Sequence, residues 1–211
     1  MNLLERGKIF IFVIASRVMN KDKRKRALVI VAHPDDETIW MGGMILRNKD
    51  WDWTICSLCR AADLDRAPKF RKVCFGYGAR AIISDLDDEV LEDLEIDEVA
   101  GKIKENVDGK YDYIFTHGEN GEYGHIRHKE THKAVKRMFG KGELQCENVF
   151  FFSYEMKDGK KIPDSRGADF GISLTKSELE QKRKIIKDVY GFTSESFEYL
   201  SSGGKENFTR V

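Results

Sequence analysis

The sequence lacks an excess of charge of either sign. Its 211 residues include 36 Lys and Arg and 36 Asp and Glu, so the formal net charge at pH 7 is zero. A chain without net charge creates no global field that would attract nucleic acid or an anionic membrane. We therefore expect no nucleic-acid partner, and a small neutral or weakly charged substrate fits this composition better.

Cysteine is scarce as well. The chain contains only Cys56, Cys59, Cys74 and Cys146, and their spacing is irregular. Four cysteines in this arrangement are too few for a disulfide framework and are typical of a reducing compartment, so we predict a cytoplasmic protein. The first two form a CxxC motif, but the chain has no second CxxC to complete a structural zinc site.

Long hydrophobic runs are also missing. The apolar run from Ile9 to Ala15 is far shorter than the roughly 20 residues that a transmembrane helix needs, so we predict no transmembrane segment. Residues 1–26 form an N-terminal extension of uncertain structure. The sequence is compatible with an element packed on the domain, a signal peptide, or a leader upstream of a true start at Met19.

What the sequence does contain is a regular alternation of apolar runs and helix-like segments. Strands are predicted at 27–32, 53–59, 81–84, 111–117 and 148–154. Crossover helices are predicted at 37–48, 66–77, 96–107 and 127–138. Continuous apolar strands between helices indicate an α/β layer sandwich with a mostly parallel sheet, and the length suits one domain.

Three later segments have recognisable local patterns. Thr175 and Glu178 are spaced as a capping box at the start of a helix that Gly191 would end. The stretch 157–171 is predicted to be a surface loop. The acidic stretch 85–98 could bind a cationic group, but we expect a solvated start of a helix.

Polar clusters follow two of the predicted strands, at the edge where open parallel sheets bind ligands. His33 to Glu37 come after the first strand, and Pro34 disfavours the α region for His33, so the chain leaves the strand extended. Four of the five histidines fall within 117–132, after the strand 111–117: His117, His125, His128 and His132.

A divalent cation would explain this crowding. If a helix starts near Gly124, then His125, His128 and His132 lie on one stripe that faces His33 and Asp36. Two histidines and a carboxylate around an open position form a plausible catalytic zinc site, and the cation offsets the repulsion between neighbouring carboxylates.

The same residues also fit roles that are unrelated to a catalytic metal. An HxxH pair on a helix is commonly a surface feature, and either Asp35 or Asp36 could cap a helix that starts at Glu37. The segment "HKETH" is similar to the HExxH motif of zinc peptidases, but Glu130 is at its middle position, so that motif would lose its general base.

Two motifs together resemble a known family. "AHPDDE" at 32–37 and "GEYGHIRH" at 121–128 are similar to motifs of the zinc-dependent N-acetylglucosaminyl deacetylases, the LmbE-like or PIG-L-like family. The resemblance extends from about Ala27 over most of the chain and includes "SLCRAAD" after the second strand. It implies a Rossmann-like three-layer sandwich and a single deacetylase domain over 27–211.

The resemblance also implies the metal site and the proton acceptor. It implies one zinc ion per chain, with another divalent metal possible, held by His33, Asp36 and His128. Asp35 matches the general base of the family. The implied reaction is removal of an N-acetyl group from an amino-sugar conjugate, so the implied partner is a small N-acetylated molecule.

Three further residues take roles from the resemblance. His125 matches a histidine that stabilises the transition state, Tyr123 a tyrosine that gates the site and helps to hold the oxyanion, and Arg60 an arginine that contacts substrate. The chain also departs from the family pattern. Arg127 stands before His128 where aspartate is common, and Asp63 replaces a nearby glutamate.

Several alternatives stay open from the sequence. The same site would suit an amidase acting on a non-sugar amide, such as a thiol conjugate. A non-catalytic metal-binding or carbohydrate-binding module would keep the ligands but would not need Asp35. The sequence assigns no role to His117 or His132, and it does not indicate the oligomeric state.

Overall fold

The computed structural model describes residues 24–90, 92–157, 163–165 and 167–211. The expectations for the N-terminal extension therefore lie outside the described residues, apart from its last three positions. Within the described ranges, no helix is long and apolar enough to cross a membrane.

A seven-stranded sheet organises the described residues, in the order β3-β2-β1-β4-β5-β9-β8. A separate two-stranded ribbon is formed by β6 and β7. The strands are β1 (Arg26–Val31), β2 (Asp52–Ser57), β3 (Arg80–Ile83), β4 (Lys110–Thr116), β5 (Gln145–Phe152), β6 (Tyr154–Glu155), β7 (Asp164–Ser165), β8 (Phe170–Ser173) and β9 (Lys205–Arg210).

The helices alternate with the parallel strands along the chain. They are α1 (Asp36–Arg47), α2 (Arg66–Tyr77), α3 (Ile96–Asn106), the short α4 (Gly121–Gly124), α5 (Ile126–Gly140), α6 (Lys176–Lys184), a π-helix (Ile185–Tyr190) and α7 (Phe197–Ser201). Thr175 and Glu178 form the predicted capping box at the start of α6. The π-helix ends at Gly191, whose φ of 87° is in the left-handed region that favours glycine.

The two faces of the sheet are buried in two separate cores. Val29 and Val31 of β1 belong to the core with α1, α2 and the π-helix. Leu28 and Ile30 of the same strand belong to the core with α3 and α5. Because successive strand residues point to opposite faces, an apolar run such as that of β1 requires helices on both sides. The predicted three-layer, mostly parallel α/β sandwich is confirmed.

The predicted strands match β1 to β5 within a few residues, and all five are parallel. The sequence patterns did not predict β8 and β9, which extend the sheet beyond β5 in antiparallel pairing. Part of the stretch predicted as a surface loop, Phe170 and Gly171, belongs to β8. In β9, "KENFTR" contains too few apolar residues to predict a strand.

The sheet has a topological switch at its centre. The strand β1 pairs with β2 on one side and with β4 on the other. The connections that follow β1 and β4 therefore leave in opposite directions, which opens a crevice at the carboxyl ends of these two strands. The polar clusters found in the sequence follow β1 and β4.

Candidate active site

The first site turn leads from β1 into α1. The His33 backbone N–H donates to Asp36 Oδ2 at 2.9 Å. The other oxygen, Asp36 Oδ1, accepts from Trp40 Nε1 at 2.9 Å. These two contacts fix the carboxylate, so that Oδ2 lies towards the end of β4.

Asp35 has an unusual backbone and does not cap α1. Its φ is 111°, and its side chain makes no capping hydrogen bond. The carboxylate instead forms an ion pair with Arg66. Positive φ at a residue other than glycine costs on the order of 1–3 kcal/mol, so neighbouring groups must hold it. Asp35 stands at the N-cap position of α1, but the alternative in which its side chain caps the helix is wrong.

Glu37, to which the sequence assigned no role, holds the Asp35 backbone. Its Oε2 accepts from the Asp35 N–H at 3.0 Å, and its Oε1 accepts from the Tyr190 hydroxyl at 2.8 Å. Burial raises the pKa of Glu37 to about 7. Burial and the neighbouring Asp36 also raise the pKa of Asp35 well above its usual value, although Arg66 opposes this. Asp35 is thus a better proton acceptor than an exposed aspartate.

The second site turn follows β4 and is organised by Glu122, another residue whose role the sequence did not reveal. Glu122 Oε2 accepts from His117 Nδ1 at 2.8 Å and from His128 Nδ1 at 2.6 Å. Burial alone would raise the pKa of Glu122, but the two imidazoles lower it to about 2. An ionised Glu122 accepts hydrogen bonds from both Nδ1–H groups, so Nε2 of His128 is the nitrogen that faces Asp36 Oδ2.

His117 and His132 support the site from behind. His117 Nε2 accepts from the Ala32 N–H at 2.9 Å, so both of its ring nitrogens are engaged. His132 Nδ1 lies 3.0 Å from the His117 carbonyl oxygen, to which it donates. The expected histidine stripe is therefore wrong at its last member, because His132 contacts His117 and Phe151 rather than His33 or Asp36.

The three atoms predicted to bind the metal converge between the two turns. His33 Nδ1, Asp36 Oδ2 and His128 Nε2 are each 3.3 Å from the other two. Tetrahedral zinc with bonds of 2.0–2.2 Å requires ligand atoms roughly 3.3–3.6 Å apart, so this triangle matches one face of such a site. His33 Nε2 lies 3.1 Å from Asp88 Oδ1, so Nε2 carries a proton that it donates to Asp88, and Nδ1 is the nitrogen that faces the other two atoms.

The charges of the site favour a cation at this position. Burial opposes protonation of His128, but Asp36 and Glu122 outweigh it and raise the pKa of His128 to about 10. Burial likewise opposes ionisation of Asp36, yet His128 and His117 hold its pKa well below the usual range. Without a metal, the second proton of His128 is therefore on Nε2 and is shared with Asp36 Oδ2 at 3.3 Å. A divalent cation at this position would displace that proton, and one carboxylate with two imidazoles is a donor set that suits such an ion.

Asp88 joins the first turn to Arg60. Its Oδ1 contacts His33 Nε2, and its Oδ2 accepts from Arg60 Nη2 at 2.6 Å and Nε at 3.0 Å. Only 6% of the Asp88 side chain is exposed. The expectation that 85–98 is simply a solvated start of a helix is therefore wrong at this residue. Nothing in the acidic stretch distinguishes Asp88 from its neighbours.

A cavity of about 370 Å³ opens next to the three ligand atoms. An aromatic wall lines one side, where Tyr123 stacks on Trp40 at 6.2 Å and contacts the Phe197 ring at 4.7 Å between centroids. The residues predicted for the chemistry line the same cavity: His33, Asp35, Asp36, Arg60, Tyr123 and His125. His128 lies behind them and is fully buried.

His125 borders the cavity as the N-cap of α5. Its Nδ1 accepts from the Arg127 N–H at 3.3 Å, so its proton is on Nε2. Burial, together with His128 and His33, lowers the pKa of His125 to about 4. His125 is therefore a neutral hydrogen-bond donor at pH 7, and not the protonated group that an acid role would need.

The chain matches a known family in sequence. The sequence model of the family described as "PIG-L: GlcNAc-PI de-N-acetylase" matches residues 28–139. This match includes both site turns and all three converging ligand residues. The comparison with curated protein sequences finds no match.

Three similar solved structures illustrate the range of activities on this fold. N,N'-diacetylchitobiose deacetylase from Pyrococcus horikoshii has a TM-score of 0.68 and 14% identity, covering 100% of this chain and 94% of that one. The zinc-inhibited form of teicoplanin deacetylase Orf2 has a TM-score of 0.60 and 14% identity, with coverage of 89% and 99%. The 4-carboxy-2-hydroxymuconate hydratase GalB from Pseudomonas putida has a TM-score of 0.63 and 14% identity, with coverage of 89% and 96%. At these identities the likeness shows the fold alone.

Proposed function

The chain belongs to the PIG-L family of GlcNAc-PI de-N-acetylases, and from this premise we propose that it is a metal-dependent hydrolase that removes an N-acetyl group from an amino-sugar conjugate. We propose one zinc ion per chain, or another divalent metal, held by His33, Asp36 and His128. The substrate is a small N-acetylated molecule, and the cysteine pattern favours a cytoplasmic location.

One observation carries this proposal. Three atoms of types that bind zinc, His33 Nδ1, Asp36 Oδ2 and His128 Nε2, face one another at 3.3 Å beside a cavity. Asp35 lies on the same wall of that cavity with a raised pKa and is not part of the triangle. A metal-binding module would need the triangle only, whereas a hydrolase needs a proton acceptor next to it.

The proposed division of labour follows from these positions. A divalent ion at the triangle would supply Lewis acidity, which polarises an amide carbonyl and makes water a stronger acid. Asp35 accepts the proton of the attacking water, and Arg66 orients its carboxylate. Glu37 keeps the Asp35 backbone in its strained conformation, so the base does not move away from the ligands.

Two donors that line the same cavity serve the developing oxyanion. The Nε2–H of neutral His125 and the hydroxyl of Tyr123 both border the cavity. Donors placed where charge develops stabilise the transition state without reorganisation. When the C–N bond breaks, the proton that Asp35 accepted is available for the leaving amine, so acetate and a free amine result.

The cavity also suits the substrate class. Its volume of about 370 Å³ is in the range of small-molecule sites, and Tyr123 and Phe197, with the buried Trp40 packed against Tyr123, form an aromatic surface against which a sugar ring can stack. Arg60 lies at the rim with 42% of its side chain exposed, and Asp88 fixes its guanidinium. We propose that the exposed part of Arg60 contacts substrate hydroxyl groups.

Acetate release from a substrate panel tests the proposal. The purified protein would be dialysed against a chelator, reloaded with Zn²⁺, and assayed with N-acetylated amino sugars and with non-sugar N-acetyl amides, including thiol conjugates. We expect zinc-dependent acetate release with a preference for amino sugars. A preference for the non-sugar amides would indicate the alternative amidase, and binding of sugars without any acetate release would indicate a non-catalytic module.

A further inference from the structure

We infer that Arg127 positions the metal-binding face of His33 through the acidic loop and its carboxylate Asp88. The acidic loop is residues 84–95, of which the structure describes all but residue 91. This inference rests on the proposed metal-dependent function. Arg127 is also the position at which the chain departs from the aspartate that is common in the family.

The guanidinium of Arg127 is fully buried and binds three backbone carbonyls of the acidic loop. Nε donates to the Asp87 oxygen at 2.6 Å, Nη2 to the Val90 oxygen at 2.8 Å, and Nη1 to the Glu92 oxygen at 2.8 Å. The described residues of this loop form no helix or strand, so their carbonyls need partners from elsewhere. Arg127 therefore holds the part of the loop from Asp87 to Glu92, whereas Leu86 N–H donates to the Leu58 oxygen at 2.8 Å and fixes the part before it.

Glu130 completes this arrangement from the next turn of α5. Its Oε2 accepts from Arg127 Nη1 at 2.8 Å, and its Oε1 accepts from the Leu94 N–H at 2.8 Å. A buried guanidinium without a counter-charge would be strongly unfavourable. Arg127 and Glu130 therefore form a neutral ion pair. Together they bind four backbone groups of the acidic loop, namely three carbonyls and the Leu94 N–H.

Asp88 lies between the carbonyls that Arg127 binds, and it is the loop residue that reaches the site. Its Oδ1 contacts His33 Nε2 at 3.1 Å, while its Oδ2 holds Arg60. A proton kept on His33 Nε2 leaves Nδ1 free for the metal, and the hydrogen bond fixes the plane of the ring. A shift of the loop would move Asp88 and release both constraints.

The test variant is Arg127→Lys, which keeps the charge but cannot bind three carbonyls with one ammonium group. Arg137→Lys is the matched control, because Arg137 also lies on α5 and donates from Nη2 to the Ile96 oxygen and to Asp97, away from the site. Chelator competition would give the Zn²⁺ dissociation constant. We expect about 10-fold to 100-fold weaker binding for Arg127→Lys and no more than about a twofold change for the control.

A double variant distinguishes positioning from general loss of packing. If Arg127 acts through Asp88, then Arg127→Lys should weaken Zn²⁺ binding no further once Asp88→Asn is present. If Arg127→Lys raises the Zn²⁺ dissociation constant by the same factor with and without Asp88→Asn, the inference is overturned. Unchanged Zn²⁺ affinity in a folded Arg127→Lys protein would overturn it as well.

A readout without metal separates this inference from the proposed function. The imidazole nitrogen spectrum of the metal-free protein reports which nitrogen of His33 carries the proton. We expect Nε2–H in the wild type and in Arg137→Lys, and a mixture of both tautomers in Arg127→Lys. A pure Nε2–H tautomer in the wild type, Arg137→Lys and Arg127→Lys alike would contradict the inference. A wild-type protein that binds no Zn²⁺ would contradict the proposed function, and with it the role of Arg127 in metal binding.

If Arg127→Lys does not fold, Glu130→Gln replaces it. This change weakens the ion pair and keeps an amide oxygen for the Leu94 N–H. We expect a smaller loss of Zn²⁺ affinity in the same direction, and again no further loss in the presence of Asp88→Asn. Unchanged affinity in Glu130→Gln would then overturn the inference.

Discussion

Two buried charged clusters contact α1, and they differ in whether their hydrogen bonds are complete. In the first, Glu206 accepts from Lys182 Nζ at 2.8 Å and from the Gly43 and Met44 N–H groups at 2.7 Å. A break in α1 at Met41, with a φ of −146°, exposes these two N–H groups to the carboxylate. Every charge in this cluster has a partner.

The second cluster, the three ligand atoms at the start of α1, is incomplete. His33 Nδ1, Asp36 Oδ2 and His128 Nε2 converge at 3.3 Å and, without a metal, are bridged by the second proton of His128, because Asp88 and Glu122 accept the other imidazole N–H groups. Buried charge therefore does not identify a functional site by itself. The informative feature is a group of buried nitrogen and oxygen atoms around one point, where a divalent cation can replace the shared proton.

The largest expected effect comes from removing one of the three predicted metal ligands. His33→Ala should abolish stoichiometric zinc binding and reduce hydrolysis to the background rate, because two ligands do not hold the ion. Elemental analysis by mass spectrometry and acetate release measure the two effects. One equivalent of zinc retained in this variant would show that the ion is bound elsewhere.

Replacing Asp35, the proposed base, should reduce the rate of hydrolysis without reducing the zinc content. Asp35→Ala should keep one zinc per chain and lose hydrolysis by about a hundredfold to ten-thousandfold, which corresponds to about 2.7–5.5 kcal/mol in the activation barrier. Zinc content and kcat would be measured on the same preparation. Zinc loss equal to that of the ligand variant would contradict the division between base and ligand.

Breaking the complete cluster should affect stability and leave the site intact. Lys182→Met leaves Glu206 buried without its ammonium partner, so we expect a loss of about 3–5 kcal/mol in the free energy of unfolding, measured with urea. The double variant with Glu206→Gln should recover part of this loss. Zinc stoichiometry per folded molecule should match the wild type, and a folded Lys182→Met protein without zinc would contradict the comparison.

The smallest expected effect comes from an ion pair at the surface, where water screens the charges. Arg47 Nη2 lies 2.6 Å from Glu178 Oε2, and Arg47→Ala should lower the free energy of unfolding by only about 0.2–1 kcal/mol.

This ion pair should also depend on pH, because the hydrogen bond from Arg47 lowers the pKa of Glu178 from 4.5 to about 2. The contribution is therefore present above about pH 5 and is lost as the pH falls towards 2. Thermal unfolding of both proteins should differ at pH 7 and coincide at pH 2, and a difference that grows at low pH would contradict this.

Local patterns in the sequence were sufficient for the central fold. The apolar runs that became β1 and β2 are buried on both faces, so their composition reflects their environment directly. The capping box of Thr175 and Glu178 also depends only on nearby residues. Contacts between distant residues explain why the sequence did not predict β9. Its Glu206 can be buried because Lys182 and the Gly43 N–H at the break in α1 bind the carboxylate.

The same distinction applies to the site. The ligand residues were predicted because two short motifs at strand ends contain them, and their roles as ligands stay a prediction. Asp88 and Glu122 could not be predicted, since an acidic side chain acquires its role from the imidazole it meets in the fold. Asp88 reaches His33 only because the acidic loop follows the path that Arg127 sets.

Anomalous X-ray diffraction at the zinc edge, on crystals grown with Zn²⁺, tests the central claim most directly. We expect one peak per chain, about 2.0–2.2 Å from His33 Nδ1, Asp36 Oδ2 and His128 Nε2. No peak between the two turns, or a peak that lacks one of these three atoms as a ligand, would contradict it.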